Sequence, residues 1–330
     1  MTVRAAPLVV YLALAALAGC APEPTDGALD VGPLAEMPDG KWAWLDVPEM
    51  QCRDGSTTGV GVRRVAGSRR LVVLFQGGGL CLTPETCAKN RPSYGADDFG
   101  RTMDRMADRP ALSGRDGAPF ARWNAVFVPY CTGDLHAGTR DGTVPGVDGT
   151  QRFAGAANLD AVLGLLAPGA DRAETVLLAG SSAGGYGAAL AYGRAAQALA
   201  PAPVHLADDA GPMLPTSALS PALQHPGRAF GLVAHAEDRA IRNLASAVAP
   251  GCARYGDPAC RLPAEAYRDG LAALADTFAA LPNAGLFVLP GDGHSTLLTV
   301  GMDDLSSGGV RLTDWLAELP TGIARTVGGR

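Results

Sequence analysis

The sequence predicts a single α/β domain with a mostly parallel central sheet, and three observations carry that expectation. Six short apolar runs recur along the chain: LVVLF (71–75), AVFVPY (125–130), TVLLAG (175–180), VHLADD (204–209), FGLVAH (230–235) and LFVLP (286–290). Interleaved with them, residues 158–166, 185–199, 238–248 and 263–281 are rich in helix formers, with apolar residues at three- and four-residue steps. Short apolar runs suit strands buried on both faces, and their alternation with amphipathic helices builds crossover units between parallel strands. The third observation is continuity. No internal repeat and no linker interrupts the series after residue 41, so residues 42–330 read as one domain. With 330 residues, 47% of them hydrophobic and 18% charged, the chain can bury a core of that size.

The N-terminus carries an address. Arg4 is the only charge before an apolar run over residues 5–18, which closes on Leu17-Ala18-Gly19-Cys20. The run is short for a spanning helix, and the small residues before Cys20 fit signal-peptide cleavage and lipidation of that cysteine. Residues 1–19 are therefore expected to be a lipoprotein signal peptide. Cys20 is the expected lipidation site, and residues 20–41, rich in Pro, Gly and acids, are the expected flexible tether. Ala21 rather than Asp after the cysteine fits placement at the outer membrane or cell surface, with the lipid as the sole membrane contact. A net charge of -6 without a basic block leaves no electrostatic footprint for nucleic acid.

Setting Cys20 aside leaves Cys52, Cys81, Cys87, Cys131, Cys252 and Cys260. An even number in an exported chain implies disulfides. The close spacings favour Cys81–Cys87 and Cys252–Cys260, which leaves Cys52 with Cys131. No C-x-x-C pair and no His pair at i, i+4 spacing signals a metal, and no cofactor is predicted.

The chemistry sits where apolar runs end. TVLLAG leads into Gly180-Ser181-Ser182-Ala183-Gly184 and then a helix-forming stretch, the G-x-S-x-G pattern of a nucleophile elbow that projects Ser182 above a sheet. LVVLF leads into Gln76-Gly77-Gly78-Gly79-Leu80-Cys81. A glycine run there can aim backbone N–H groups at the charge that develops on an acyl carbonyl oxygen, so Gly78, Gly79 and Ala183 are the candidate oxyanion-hole donors. LFVLP runs into Gly291-Asp292-Gly293-His294, which makes His294 the candidate base. FGLVAH runs into Ala236-Glu237-Asp238, which makes Asp238 the candidate acid ahead of Glu237. The order Ser182, Asp238, His294 is that of elbow enzymes.

With these residues placed, the chain resembles the pectin acetylesterase and Notum family of α/β-hydrolase-like esterases over most of residues 50–300. Cys52-Arg53-Asp54-Gly55-Ser56 is similar to that family's early C-x-D-G segment, Gln76 to Cys81 to its glycine-rich segment, and Cys87 to the partner of that cysteine. Pro129-Tyr130-Cys131-Thr132-Gly133-Asp134-Leu135-His136 resembles its Y-C-[ST]-x-D segment, Gly180 to Gly185 its G-x-S-A-G-G, and Asp208-Asp209-Ala210-Gly211 the D-[SA]-G stretch beside its pocket. The resemblance implies a serine carboxylesterase with Ser182, Asp238 and His294 as triad, Gly78, Gly79 and Ala183 as oxyanion hole, and the three disulfides above. It also makes Asp134, His136 and Asp209 candidates for the pocket, with loop-anchoring hydrogen bonds the alternative for Asp134 and His136. Leu80 stands where an aromatic residue often follows the glycines, which bears on pocket shape. The expected activity is removal of short acyl groups, acetyl foremost, from a small molecule or a polysaccharide. The alternatives are an esterase for lipids or acylated proteins, and a catalytically silent glycan-binding surface lipoprotein.

Overall fold

The computed structural model describes residues 27–211, 222–248, 251–252, 254–299 and 301–328. The expected signal peptide, Cys20 and the first part of the expected tether lie outside the described residues. In chain order the strands are β1 (Trp42–Gln51), β2 (Thr57–Arg63), β3 (Arg70–Phe75), β4 (Asn124–Val128), β5 (Arg140–Gly142), β6 (Gln151–Phe153), β7 (Thr175–Ser181), β8 (Val204–Asp209), β9 (Phe230–His235), β10 (Ala284–Leu289), β11 (Ser306–Ser307) and β12 (Val310–Arg311). The described α-helices are α1 (Pro84–Lys89), α2 (Ala96–Met106), α3 (Gly155–Leu166), α4 (Ala183–Ala198), α5 (Arg239–Val248), α6 (Ala264–Ala279) and α7 (Leu312–Glu318).

Eight strands form one sheet in the order β1-β2-β4-β3-β7-β8-β9-β10. The six strands from β4 to β10 run parallel, and β1 and β2 add an antiparallel edge. Each parallel strand is one of the six apolar runs, buried on both faces. Along β3, Leu71, Val73 and Phe75 enter a core layer with α3, α4 and α6, while Val72 and Leu74 enter the opposite layer with α2 and α7. This is an α/β-hydrolase-like fold. From β3 the chain steps to β4 on one side, then resumes at β7 on the other and continues outward to β10. The sheet therefore has a topological switch point between β3 and β7, where the carboxyl ends of parallel strands leave a crevice.

The described part of the expected tether departs from that expectation. Ala28, Leu29 and Leu34 are buried in the core, Gly27 N–H donates to Asp30 Oδ2 at 2.6 Å, and Asp30 pairs with Arg64 at 2.7 Å. Leu29 and Leu34 are each fully enclosed, worth about 1.5–3 kcal/mol apiece, so the packed domain begins by residue 27. Three disulfides join Cys52 to Cys131, Cys81 to Cys87 and Cys252 to Cys260. Among the described residues no helix is long and apolar enough to cross a membrane.

Candidate active site

Ser182 stands at the carboxyl end of β7, beside the switch point, between the strand and α4. Its backbone takes φ 58° and ψ -122°, a conformation L-residues rarely hold, so the turn is strained and lifts the side chain clear of the sheet. The flanking glycines follow from close approach. A Cβ at Gly180 would lie 2.1 Å from Gly184 O, and one at Gly184 would lie 2.0 Å from Phe75 O of β3. Ser182 N–H donates to Asp209 O at 2.7 Å, which ties the turn to β8.

His294 and Asp238 arrive from the ends of β10 and β9. His294 Nδ1 lies 2.7 Å from Asp238 Oδ2, and His294 Nε2 lies 2.7 Å from Ser182 Oγ. An ionised carboxylate only accepts, so Nδ1 carries the proton and Nε2 is left to accept from the serine hydroxyl. Asp238 is fully buried, and its Oδ1 accepts the Ile241 N–H at 3.0 Å, capping the first turn of α5. Glu237 instead turns outward to an ion pair with Arg268 at 2.5 Å, and Asp292 pairs with Arg239 at 3.3 Å. The loop before His294 lies on the acid loop, with Glu237 N–H donating to Gly291 O and Gly293 packed on the His235 ring.

Gly77, Gly78 and Gly79 line the cleft facing Ser182. Gly77 packs on the elbow, since a Cβ there would meet Ser181 O at 2.3 Å. Gly79 has φ 75°, the left-handed region that suits glycine. Ala183 opens the 16-residue helix α4, so its N–H is one of the donors a helix start leaves without an intrahelical partner, at the positive end of the helix dipole. Three polar groups brace the glycine loop from behind. Tyr130 OH donates to Gly79 O at 2.8 Å and accepts the Leu135 N–H, Gln76 Oε1 accepts the Tyr130 N–H at 3.0 Å, and His136 Nε2–H donates to Gln76 O at 2.9 Å. Burial holds the His136 imidazole below its ordinary value, opposed by the contact with the Gln76 carbonyl, which favours the charged form. Arg53, buried by the Cys52–Cys131 bridge, donates to the Cys87 and Asn90 carbonyls at the end of α1.

The three residues expected in the pocket lie elsewhere. His136 is buried between Phe75 and Tyr130 and anchors the glycine loop. Asp134 accepts from Thr132 Oγ at 2.6 Å and from Gly155 N–H at 2.8 Å and borders a neighbouring depression beyond Leu80. Asp209 is buried beneath the elbow. The cleft over Ser182, about 490 Å³, is lined instead by Leu80, Met106, Ile241, Leu244, Tyr255 and Leu298, with Lys89 Nζ seated 4.0 Å over the Tyr255 ring. Of these only Leu80 stood out in the sequence; Met106 comes from α2, Ile241 and Leu244 from α5, and Tyr255 and Leu298 from separate loops, with no local pattern that links them. Among the described residues no cluster of three or more His, Cys, Asp or Glu is arranged to hold a metal ion.

Asp208, on the opposite face of β8 from Asp209, is fully enclosed, and burial, followed by the Asp209 charge, pushes its carboxyl up to about 8. The folded protein thus keeps a proton that the unfolded chain releases near the ordinary value of 3.8. Between these values the native state binds more protons than the unfolded state, so stability falls as pH rises, by up to ~1.4 kcal/mol per pH unit. Asp208→Asn removes this slope. Its unfolding free energy relative to wild type is expected to increase from about pH 5 to about pH 8, read from urea midpoints across that range. Parallel pH profiles for the two proteins would contradict it.

A sequence profile of the pectinacetylesterase family matches residues 45–254, well over half of the chain, including the glycine loop, Ser182 and Asp238. Palmitoleoyl-protein carboxylesterase notum2 of Xenopus laevis is 33% identical over 169 residues, 48% of this chain and 32% of the relative. Notum1 of the same organism is 36% identical over 148 residues, 42% of this chain and 29% of the relative. The human palmitoleoyl-protein carboxylesterase NOTUM is 34% identical over 155 residues, 45% of this chain and 30% of the relative. The chain spans about a third of the length of these relatives.

Proposed function

This chain belongs to the pectinacetylesterase family, and on that premise we propose that it is an extracytoplasmic serine carboxylesterase that removes short acyl groups, acetyl foremost, from a polysaccharide or smaller ester. The observation that carries the reading is the hydrogen-bonded series Ser182, His294, Asp238, with 2.7 Å at each step, at the carboxyl ends of β7, β10 and β9. In this reading Ser182 Oγ attacks the acyl carbon while His294 Nε2 takes its proton. Asp238 holds the imidazole in the tautomer that can accept it and stabilises the imidazolium that forms. The Gly78, Gly79 and Ala183 N–H groups receive the oxyanion. His294 then returns the proton to the departing alkoxide, and a water repeats the sequence to release the acid and free Ser182. The three disulfides support an oxidising compartment, and the leader ending at Cys20 supports a lipid-anchored protein.

A second reading, an esterase for longer acyl chains on lipid or protein, is favoured by one observation: the wall of Leu80, Met106, Ile241, Leu244 and Leu298. The three relatives above are named for a palmitoleoyl ester. The short-acyl reading treats the same cleft as shared by the acyl and alcohol halves, with glycine backbone closest to Ser182. A p-nitrophenyl ester series separates the two. The expected result is the highest kcat/KM from acetyl to butyryl with a graded fall beyond, because each methylene is worth only about 1–3 kcal/mol in an apolar pocket. A maximum at octanoyl or longer would replace the short-acyl reading with the second.

A further inference from the structure

Asp209 ends β8 with its carboxylate buried directly under the nucleophile elbow. Four donors converge on its two oxygens. Ser181 Oγ–H donates to Oδ2 at 2.8 Å and Leu297 N–H to Oδ2 at 2.7 Å. Thr296 N–H lies 2.8 Å from Oδ2 and 3.0 Å from Oδ1, and Thr296 Oγ–H donates to Oδ1 at 3.0 Å. The main chain of the same residue holds the elbow, since Asp209 O accepts the Ser182 N–H. One residue therefore joins the strand that presents Ser182 to the segment two and three positions beyond His294.

His294 is held from two sides. Its upstream neighbours are tied to the acid loop, with Gly291 O and Asp292 O accepting from Glu237 N–H and Arg239 N–H. Downstream, the hydrogen bonds that connect residues 296 and 297 to the elbow run through the Asp209 carboxylate. The upstream tie aligns His294 with Asp238, and the downstream tie aligns it with Ser182. A carboxylate suits the second task because both of its oxygens only accept, and all four converging groups donate. With no cation bonded to it among the described residues, these dipoles offset its burial, which raises the carboxyl above its ordinary value.

We propose that Asp209 is a positioning residue of the esterase reaction: its carboxylate locks the His294 loop onto the nucleophile elbow and sets the approach of His294 Nε2 to Ser182 Oγ, an inference that rests on the serine-esterase reading. An asparagine can keep part of the clamp, with its oxygen accepting from Ser181, Thr296 N–H and Leu297 while its NH2 turns to Thr296 Oγ. An alanine keeps none of it. The expected order of kcat is wild type, then Asp209→Asn lower by ~10-fold, then Asp209→Ala lower by ~100-fold or more, since a displacement of about 1 Å can cost that much.

The test measures kcat, KM and the pH dependence of kcat/KM on p-nitrophenyl acetate for folded Asp209→Asn, Asp209→Ala and Thr296→Val, with Ser182→Ala as control. Circular dichroism well below each melting transition establishes the folded fraction. Expected are losses in kcat per folded molecule, KM within about twofold, and a displaced acid limb of the pH profile. Thr296→Val, which loses one donor and keeps both N–H contacts, is expected to lose ~2- to 5-fold by the same positioning argument. If Asp209→Ala does not fold, Asp209→Asn and Thr296→Val decide. Wild-type kcat and pH profile in both, with only a lower melting temperature, would reduce Asp209 to a structural role and overturn the proposal while an inactive Ser182→Ala leaves the esterase reading standing. A Ser182→Ala protein as active as wild type would overturn that reading and the proposal with it.

Discussion

Ser182→Ala is expected to lose about three or more decades of kcat on p-nitrophenyl acetate, with a melting temperature close to wild type. The substitution removes one hydroxyl that faces the cleft and has His294 Nε2 as its described hydrogen-bond partner. Alanine fills nearly the same volume and holds the positive-φ turn no worse than serine does, so the elbow persists. What remains is the cleft with the proposed oxyanion donors, without the hydroxyl proposed as nucleophile. A fluorophosphonate probe should label wild type and not the variant. Ser181→Ala is the comparison, expected to lose only the few-fold in kcat that one donor of the Asp209 clamp carries. Ser181 is buried and its hydroxyl donates to Asp209 at 2.8 Å, beneath the elbow. Wild-type turnover in Ser182→Ala together with loss in Ser181→Ala would shift the nucleophile by one residue and end the present assignment.

Asp238→Asn is expected to cost ~10³- to 10⁴-fold in kcat, against no more than about threefold for Glu237→Gln. The amide can preserve the fold. Its oxygen, in the place of Oδ1, still caps α5 through the Ile241 N–H. Its NH2, in the place of Oδ2, then donates to His294 Nδ1, which moves the imidazole proton to Nε2 and leaves nothing to accept from Ser182. Glu237 faces solvent and Arg268, an exposed pair worth about 0–1 kcal/mol, so its neutralisation leaves the site untouched. Comparable losses in the two variants, or a greater one in Glu237→Gln, would move the acid to Glu237.

The six parallel strands and the helices α3 to α6 were legible because burial on both faces demands contiguous apolar residues, and packing on one face demands a three-to-four-residue repeat. The antiparallel strands β1 and β2 were not. WAWLDVPEMQ is partly exposed along its length and contains a proline, and TTGVGVR carries two glycines, so neither displays the buried-strand pattern. The short α1 has six residues, too few for a period to emerge, and α2 is rich in charge. The packed segment from residue 27 was legible only as composition. Its Pro, Gly and acids suggest a tether, while the few apolar residues that hold it, Ala28, Leu29 and Leu34, have no repeat.

By itself the sequence determined the class of fold, the elbow at Ser182, the glycine loop after β3 and the loop that carries His294, because each is a local pattern at the end of a recognisable strand. Only the tertiary structure decided which way the side chains between those patterns turn. Asp238 faces His294 while its neighbour Glu237 faces Arg268, and Asp209 lies under the elbow although the family resemblance implies a place beside the pocket. His136 holds the glycine loop from behind. The physical reason is that adjacent residues on a strand or loop point in different directions, and their partners come from segments dozens of residues away. The cleft wall obeys the same rule: Met106, Ile241 and Leu298 meet only because the sheet order brings three distant segments to one crevice.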